Sequence, residues 1–217
     1  MLLPTRNEVR TILCFGDSNT WGSPPGGNGR HPWDVRWTGV VQNSLGTAFR
    51  VIEDGLGGRT TCFEDPFTPH RNGLSYLPVS LETHAPLDLL IVMLGTNDLK
   101  ANFNLSALDI SRGAASLLVV AKNFRPEIKH VLLVSPPHVI GTDDFEISQQ
   151  FPDGIEKSKS LSAYYQQLAE GRGCHFFDAA SVAQTSPIDG IHLDARNHKI
   201  LGDGLAHKIL AIFEEDV

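Results

Sequence analysis

The chain has 217 residues, 41% of them hydrophobic and 20% charged, the balance of an ordinary globular protein large enough to bury a core without disulfide or metal staples. Its formal net charge of −7 argues against nucleic acid and against an anionic membrane surface as partners. Cys14, Cys62 and Cys174 are widely spaced and form no CxxC pair, so neither a disulfide framework nor a zinc site is expected. The N-terminal stretch over 1–8 lacks the basic and then apolar layout of a signal peptide, and no run approaches the ~20 apolar residues of a spanning helix. A cytoplasmic protein is expected.

Taken in order, the first apolar run, 11–15, ends in Gly16-Asp17-Ser18 and reads as a buried parallel strand. Residues 22–34 hold three prolines and four glycines and predict a loop. Asp34 is placed to cap a helix over about 35–45, which Gly46 would stop. A second strand over 49–53 leads into Gly55-Leu56-Gly57-Gly58-Arg59-Thr60-Thr61. Leu74, Leu77 and Leu81 suggest a short helix, although Pro78 weakens it. The most apolar run, 87–94, predicts the central strand and precedes Gly95-Thr96-Asn97-Asp98. Ser106 and Asp109 have capping-box spacing for a helix over about 106–124. A fourth strand over 130–135 is followed by an irregular segment, 137–153, and then a helix near 155–170 ending at Gly171. The fifth strand falls at 174–178, and the last helix starts near Asp194.

Five apolar strands alternating with helices, with no repeat or linker, predict one α/β domain over 1–217. Its architecture is a three-layer α/β/α sandwich on a five-stranded parallel sheet of flavodoxin-like order 2-1-3-4-5. In such a sheet ligands bind beyond the carboxyl ends of the strands. Ser18, Gly58, Asn97 and the Asp189-Gly190-Ile191-His192 segment should therefore open on one edge. Acyl transfer needs these residue types. A serine hydroxyl needs an adjacent base, an imidazole can take and return the proton, and a carboxylate holds that imidazole in one tautomer. Backbone N–H groups of Ser18 and Gly58, with the Asn97 amide, are candidate donors to an oxyanion.

Each feature has a plainer reading alone. Ser18 fits a helix N-cap, His192 is one of nine histidines, and Gly57-Gly58 marks a turn. The glycines lack GxGxxG spacing and a P-loop lysine, and no GxSxG elbow is present. Four separate loops supplying one reaction class favour the catalytic reading jointly. It calls for no cofactor and no metal.

These blocks, Gly16-Asp17-Ser18-Asn19-Thr20-Trp21-Gly22, Gly55-Leu56-Gly57-Gly58-Arg59-Thr60-Thr61, Gly95-Thr96-Asn97-Asp98 and Asp189-Gly190-Ile191-His192-Leu193, resemble the SGNH (GDSL) hydrolase family in its order. The resemblance implies Ser18, His192 and Asp189 as a catalytic triad and Ser18, Gly58 and Asn97 as the oxyanion hole. Asn19 stands where the motif's nickname has leucine. The 34–40, 73–78 and 93–100 segments resemble the arylesterase/acyltransferase (perhydrolase) branch. That implies a short-chain ester hydrolase with acyltransferase ability, assembled as a homo-oligomer and acting on a small-molecule ester. Asn19, Trp21, Thr96 and Ile191 flank the catalytic positions and are candidates to line the acyl pocket; Arg59 and Lys100 are weaker candidates to steer substrate. A carbohydrate O-acetylesterase using the same triad is the nearest alternative, which the polarity of 22–34 and 137–153 would decide. A non-catalytic binding protein on this scaffold is the more distant one.

Overall fold

The structure, a computed structural model, describes residues 9–124 and 128–215; the signal-peptide reading falls on 1–8, outside the described residues. Five strands, β1 (Arg10–Gly16), β2 (Phe49–Gly55), β3 (Leu89–Met93), β4 (His130–Ser135) and β5 (His175–Asp178), form one parallel sheet in the order β2-β1-β3-β4-β5. The predicted order and parallel sense are those observed.

Strand periodicity builds both cores. Leu13 and Phe15 of β1, Leu90 and Val92 of β3 and Leu133 of β4 face one side, while Ile12, Cys14, Leu89, Ile91, Met93, Leu132 and Val134 face the other. Successive side chains of a strand point to opposite faces, so a continuous apolar run requires cover on both. The first face is covered by α3 (Gly73–His84), α4 (Ala107–Asn123) and α6 (Gly154–Arg172), which supply Leu77 and Leu81, Ile110 and Leu117, and Leu161 and Tyr165. The second is covered by α2 (Trp37–Leu45) and α7 (Ala195–Glu214) through Trp37, Val41, Leu201, Leu205 and Ile209. A single helical turn, α1 (Ser18–Trp21), follows β1, and α5 (Phe145–Gln150) precedes α6.

Several boundaries differ from the sequence expectation. Asp34 does not cap α2: the helix begins at Trp37 with Arg36 in the N-cap position and no side-chain cap. Its Trp37 N–H instead donates to His198 Nδ1 at 3.3 Å, so a residue of α7 satisfies one of the helix's orphan donors. Helix α3 runs through Pro78, because burial of Leu77 and Leu81 outweighs the lost backbone bond. Residues 137–153 are not wholly irregular, since Asp144 accepts from Ile147 N–H and caps α5. Helix α6 passes Gly171 and stops at Gly173, whose φ of 61° is left-handed, and Cys174 N–H bonds back to Ala169 O. The capping box of Ser106 and Asp109 forms as predicted, and α7 starts where expected, with Asp194 capping it through Asn197 N.

Candidate active site

The register levels the strand ends. Gly16 pairs with Gly55 on one side and Met93 on the other, which places Ser18, Gly58 and Asn97 two, three and four residues beyond a common line. Hydrogen bonds then tie their loops together. Gly16 O accepts from Leu56 N at 3.1 Å and from Arg59 Nη1 at 2.9 Å, while Asn97 Nδ2 donates to Arg59 O at 3.1 Å. Two glycines let α1 close onto the sheet. A Cβ on Gly16 would lie 2.0 Å from Thr20 Oγ1, and one on Gly55 would lie 2.1 Å from Trp21 N.

Ser18 is the first residue of α1, after Asp17, whose carboxylate caps the turn through Asn19 N at 2.9 Å. Its Oγ lies 3.0 Å from His192 Nε2, and His192 Nδ1 lies 2.7 Å from Asp189 Oδ2. With Asp189 as acceptor, Nδ1 carries the ring proton and Nε2 is free to accept from the serine. Three backbone donors complete the carboxylate's shell: Ile191 N and His192 N on Oδ1 at 3.1 and 2.9 Å, and Gly26 N on Oδ2 at 2.9 Å. Burial acts to raise the Asp189 pKa, but these bonds together outweigh it and hold the carboxyl well below the usual carboxylate range. Gly190 permits the tight turn between the partners; its φ is 77°, and an added Cβ would lie 2.3 Å from Ile140 O.

The candidate oxyanion donors have hydrogens to spare. Among the described residues, neither Ser18 N–H nor Gly58 N–H has an acceptor, and Gly58 adopts a φ of 80°. Asn97 spends one amide hydrogen on Arg59 O, which fixes the plane of the amide and leaves its second hydrogen available. Behind it, buried Asp98 accepts from Thr61 N at 3.0 Å and from the Thr61 hydroxyl, joining the β3 loop to the β2 loop. Burial pushes the Asp98 carboxyl up to about 6 and does the same to Asp17.

The four residues that flank the catalytic positions have the following surroundings. Asn19 is buried, its amide donating to Ile191 O at 2.9 Å and accepting from Leu193 N at 3.0 Å. It clamps the serine turn to the histidine loop. Ile191 is buried in the core that contains Leu133 and Val139. Trp21 is half-buried beneath the Arg30 guanidinium, 4.8 Å from the ring centre. Thr96 is buried, and its hydroxyl has no partner among the described residues. Arg59 steers nothing in solvent: it is 4% exposed, braces Gly16 O and Asp54, and lies 4.0 Å over the Phe15 ring. Lys100 pairs with Asp65 at 3.3 Å.

Sequence reasoning missed Gly26, Asn19 as a clamp, Asp17 and Asp98. Gly26 lies in a proline-glycine loop whose return path to Asp189 no local pattern reveals. Asp98 does carry a signal, since an aspartate directly after Asn97 in an apolar setting needs a buried donor.

A polar relay at the strand ends of a parallel sheet is chemistry suited to ester cleavage, and comparison with known proteins supports it. The model of the GDSL-like lipase/acylhydrolase family matches residues 14–200. An aryl esterase from M. smegmatis, in an inhibitor-bound form, is 42% identical over 93% of this chain and 99% of its own, with a TM-score of 0.90. A carbohydrate acetylesterase from Sinorhizobium meliloti is 41% identical over 94% and 99%, with a TM-score of 0.89. A lipase/acylhydrolase from Enterococcus faecalis, 19% identical over 92% and 95% with a TM-score of 0.67, shares the fold. No protein of curated function matches the sequence. Fold and relatives together define a carboxylic ester hydrolase. The chain belongs to the GDSL-like lipase/acylhydrolase family, whose SGNH members include arylesterases and carbohydrate acetylesterases.

Proposed function

We propose that the chain hydrolyses short-chain acyl esters through an acyl-enzyme on Ser18. The carrying observation is the unbroken series Ser18 Oγ, His192 Nε2, His192 Nδ1 and Asp189 Oδ2, with spacings of 3.0 and 2.7 Å. In this reading Ser18 Oγ bonds to the ester carbonyl carbon while His192 Nε2 takes the hydroxyl proton. The carbonyl oxygen, now an oxyanion, accepts from Ser18 N–H, Gly58 N–H and the Asn97 amide. The tetrahedral intermediate collapses, the C–O bond to the alcohol breaks, and His192 returns the proton to the leaving oxygen. Water then attacks the acyl-serine by the same route. Asp189, ionised throughout, holds the ring orientation and stabilises the imidazolium.

An alcohol or peroxide in place of water would give the acyltransferase and perhydrolase activities that the sequence resemblance implies. Homo-oligomeric assembly, cytoplasmic residence and a single catalytic domain over 1–217 belong to the same reading. Among the described residues no helix is long and apolar enough to cross a membrane. Light scattering on the purified protein tests the assembly.

The mechanism is tested with Ser18→Ala and p-nitrophenyl acetate. The variant should fold normally and lose about 10⁴-fold or more in kcat, the residue being what binding and the oxyanion donors still supply. A fluorophosphonate should label Ser18 in the parent, as read by peptide mass spectrometry. Undiminished turnover in the variant would overturn the proposal. Carbohydrate O-acetyl esters are the second substrate reading, favoured by the Sinorhizobium meliloti relative.

A further inference from the structure

The 22–34 loop touches both ends of the Ser18–His192–Asp189 series, although none of residues 23–34 is buried and 26–30 are all exposed. At one end Gly26 N–H donates to Asp189 Oδ2 at 2.9 Å, the same oxygen that meets His192 Nδ1 at 2.7 Å. Among the described residues this is the one bond to the Asp189 carboxylate from outside its own loop, since the others come from Ile191 and His192. At the other end Arg30 grips α1. Its Nε donates to Trp21 O at 2.6 Å, and its guanidinium lies 4.8 Å from the centre of the Trp21 ring, three residues after Ser18. The same guanidinium pairs with Glu53 of β2. Two bonds within the loop bring these contacts together: Gly27 N–H donates to Pro24 O at 3.1 Å, and His31 N–H closes on Gly22 O at 2.8 Å. Gly26 has a φ of 80°, a left-handed conformation that favours glycine.

We infer that this loop is a strap belonging to the catalytic machinery, in which Gly26 N–H positions the Asp189 carboxylate and Arg30 is the positioning residue that keeps the strap seated on α1. The inference rests on the acyl-serine reading above. Two N–H groups of its own loop fix Asp189 Oδ1, so a donor on Oδ2 decides where the second oxygen points. Gly26 supplies that donor and takes the lone pair that water would otherwise occupy. It also shares the carboxylate's charge. Without it, more of that charge would fall on the imidazole, favour the protonated ring and withhold the base. Arg30 matters because the strap is rich in glycine and its exposed tip covers little apolar surface. Polar contacts must seat it. The charged neighbours of Arg30 are Glu53 and Arg36, and the titratable groups that act on His192, or on which it acts, are Asp189, Asp17 and His198. None of these is altered by the substitutions that follow.

The test measures kcat and the pH profile of kcat/KM on p-nitrophenyl acetate for Gly26→Val, Gly26→Asn and Arg30→Ala. A β-branched valine resists the left-handed backbone far more than asparagine does. Gly26→Val should therefore lower kcat by about 10–100-fold, the scale of a small misplacement of reacting groups, and Gly26→Asn should recover most of the loss. Arg30→Ala should lower kcat by a smaller factor. In both Gly26→Val and Arg30→Ala the acid limb of the profile should move to higher pH, which a loss of stability alone would not cause. Thermal unfolding checks that each variant is folded at the assay temperature. An acid limb unmoved in both variants, or kcat equal to that of the parent, would overturn the strap. Should Gly26→Val not fold, glycolic acid in place of Gly26, introduced by cell-free translation, deletes the N–H alone and must displace the limb in the same direction. A parent that a fluorophosphonate leaves unlabelled at Ser18 would instead overturn the acyl-serine chemistry. Hydrogen exchange then decides the strap: an amide within 22–34 that exchanges slowly in the parent must exchange fast in Asp189→Ala, and equal rates would overturn it.

Discussion

At the residue scale the site depends on groups whose bonds leave them a single orientation. Asn97 shows this best, because one amide hydrogen is committed to Arg59 O and only the other can face a substrate oxygen. Asn97→Ala should therefore lower kcat on p-nitrophenyl acetate by about 10²–10³-fold with a smaller change in KM, since the donor acts on charge that develops in the transition state. Steady-state kinetics checks it, and an unchanged kcat would remove Asn97 from the oxyanion hole. Asn19 acts at one remove. Its two backbone bonds, to Ile191 O and Leu193 N, set the distance between the turn bearing the hydroxyl and the loop bearing the imidazole. Asp189 keeps its charge well into acid, because His192, Gly26 and Ile191 all donate to it and outweigh the cost of burial.

At the element scale the close seating of α1 on the sheet decides where Ser18 points. Gly16 and Gly55 allow that approach, and a methyl group at either would overlap Thr20 or the Trp21 backbone. Thr20 is fully buried and has nowhere to move. Gly16→Ala should cost about 1–3 kcal/mol of stability through overpacking, a fall in Tm of roughly 3–10 °C for a domain of this size. It should also lower esterase turnover, because the whole turn must shift. Thermal unfolding followed by circular dichroism, with p-nitrophenyl acetate assays at 20 °C below the transition, separates the two effects. The 22–34 loop serves the same end: Arg30 meets Glu53, and Gly26 reaches Asp189.

At the scale of the whole molecule, buried titratable groups link stability to pH in opposing directions. His198 is fully buried between α2 and α7. Burial, aided by the neighbouring His31, His192 and Arg36 and opposed by Asp194, lowers its pKa from 6.5 to about 3. Between those values the unfolded chain binds a proton that the folded chain refuses, so this residue erodes stability as pH falls from 6.5 toward 3. Asp17 and Asp98, raised by burial from 3.8 to about 6, do the reverse. The stability they contribute is full below 3.8 and lost as pH rises through about 6. Replacing His198 by Phe should remove the first effect alone. Denaturant unfolding from pH 3.5 to 7 should show the parent gaining on the variant by up to about 1 kcal/mol per pH unit as pH rises. Parallel curves would mean that His198 does not remain neutral in the folded state.

The amino-acid sequence by itself determined the parallel sheet and its strand order, and it named the groups proposed to react. Strand runs such as 87–94 are apolar on both faces and admit only a covered parallel sheet. The Gly16-Asp17-Ser18 and Asp189-Gly190-Ile191-His192 blocks carry their chemistry in local spacing. Only the tertiary structure decided what surrounds those groups. Asn19, Ile191 and Arg59 read as pocket or surface residues, and each is consumed by a bond or a core contact made with a segment far away in the chain. Helix α5 escaped detection because Phe145–Gln150 is short and mostly polar, with no apolar period to betray it. A hydrogen bond or a cavity wall needs two partners at fixed separation, and local sequence specifies one of them at a time.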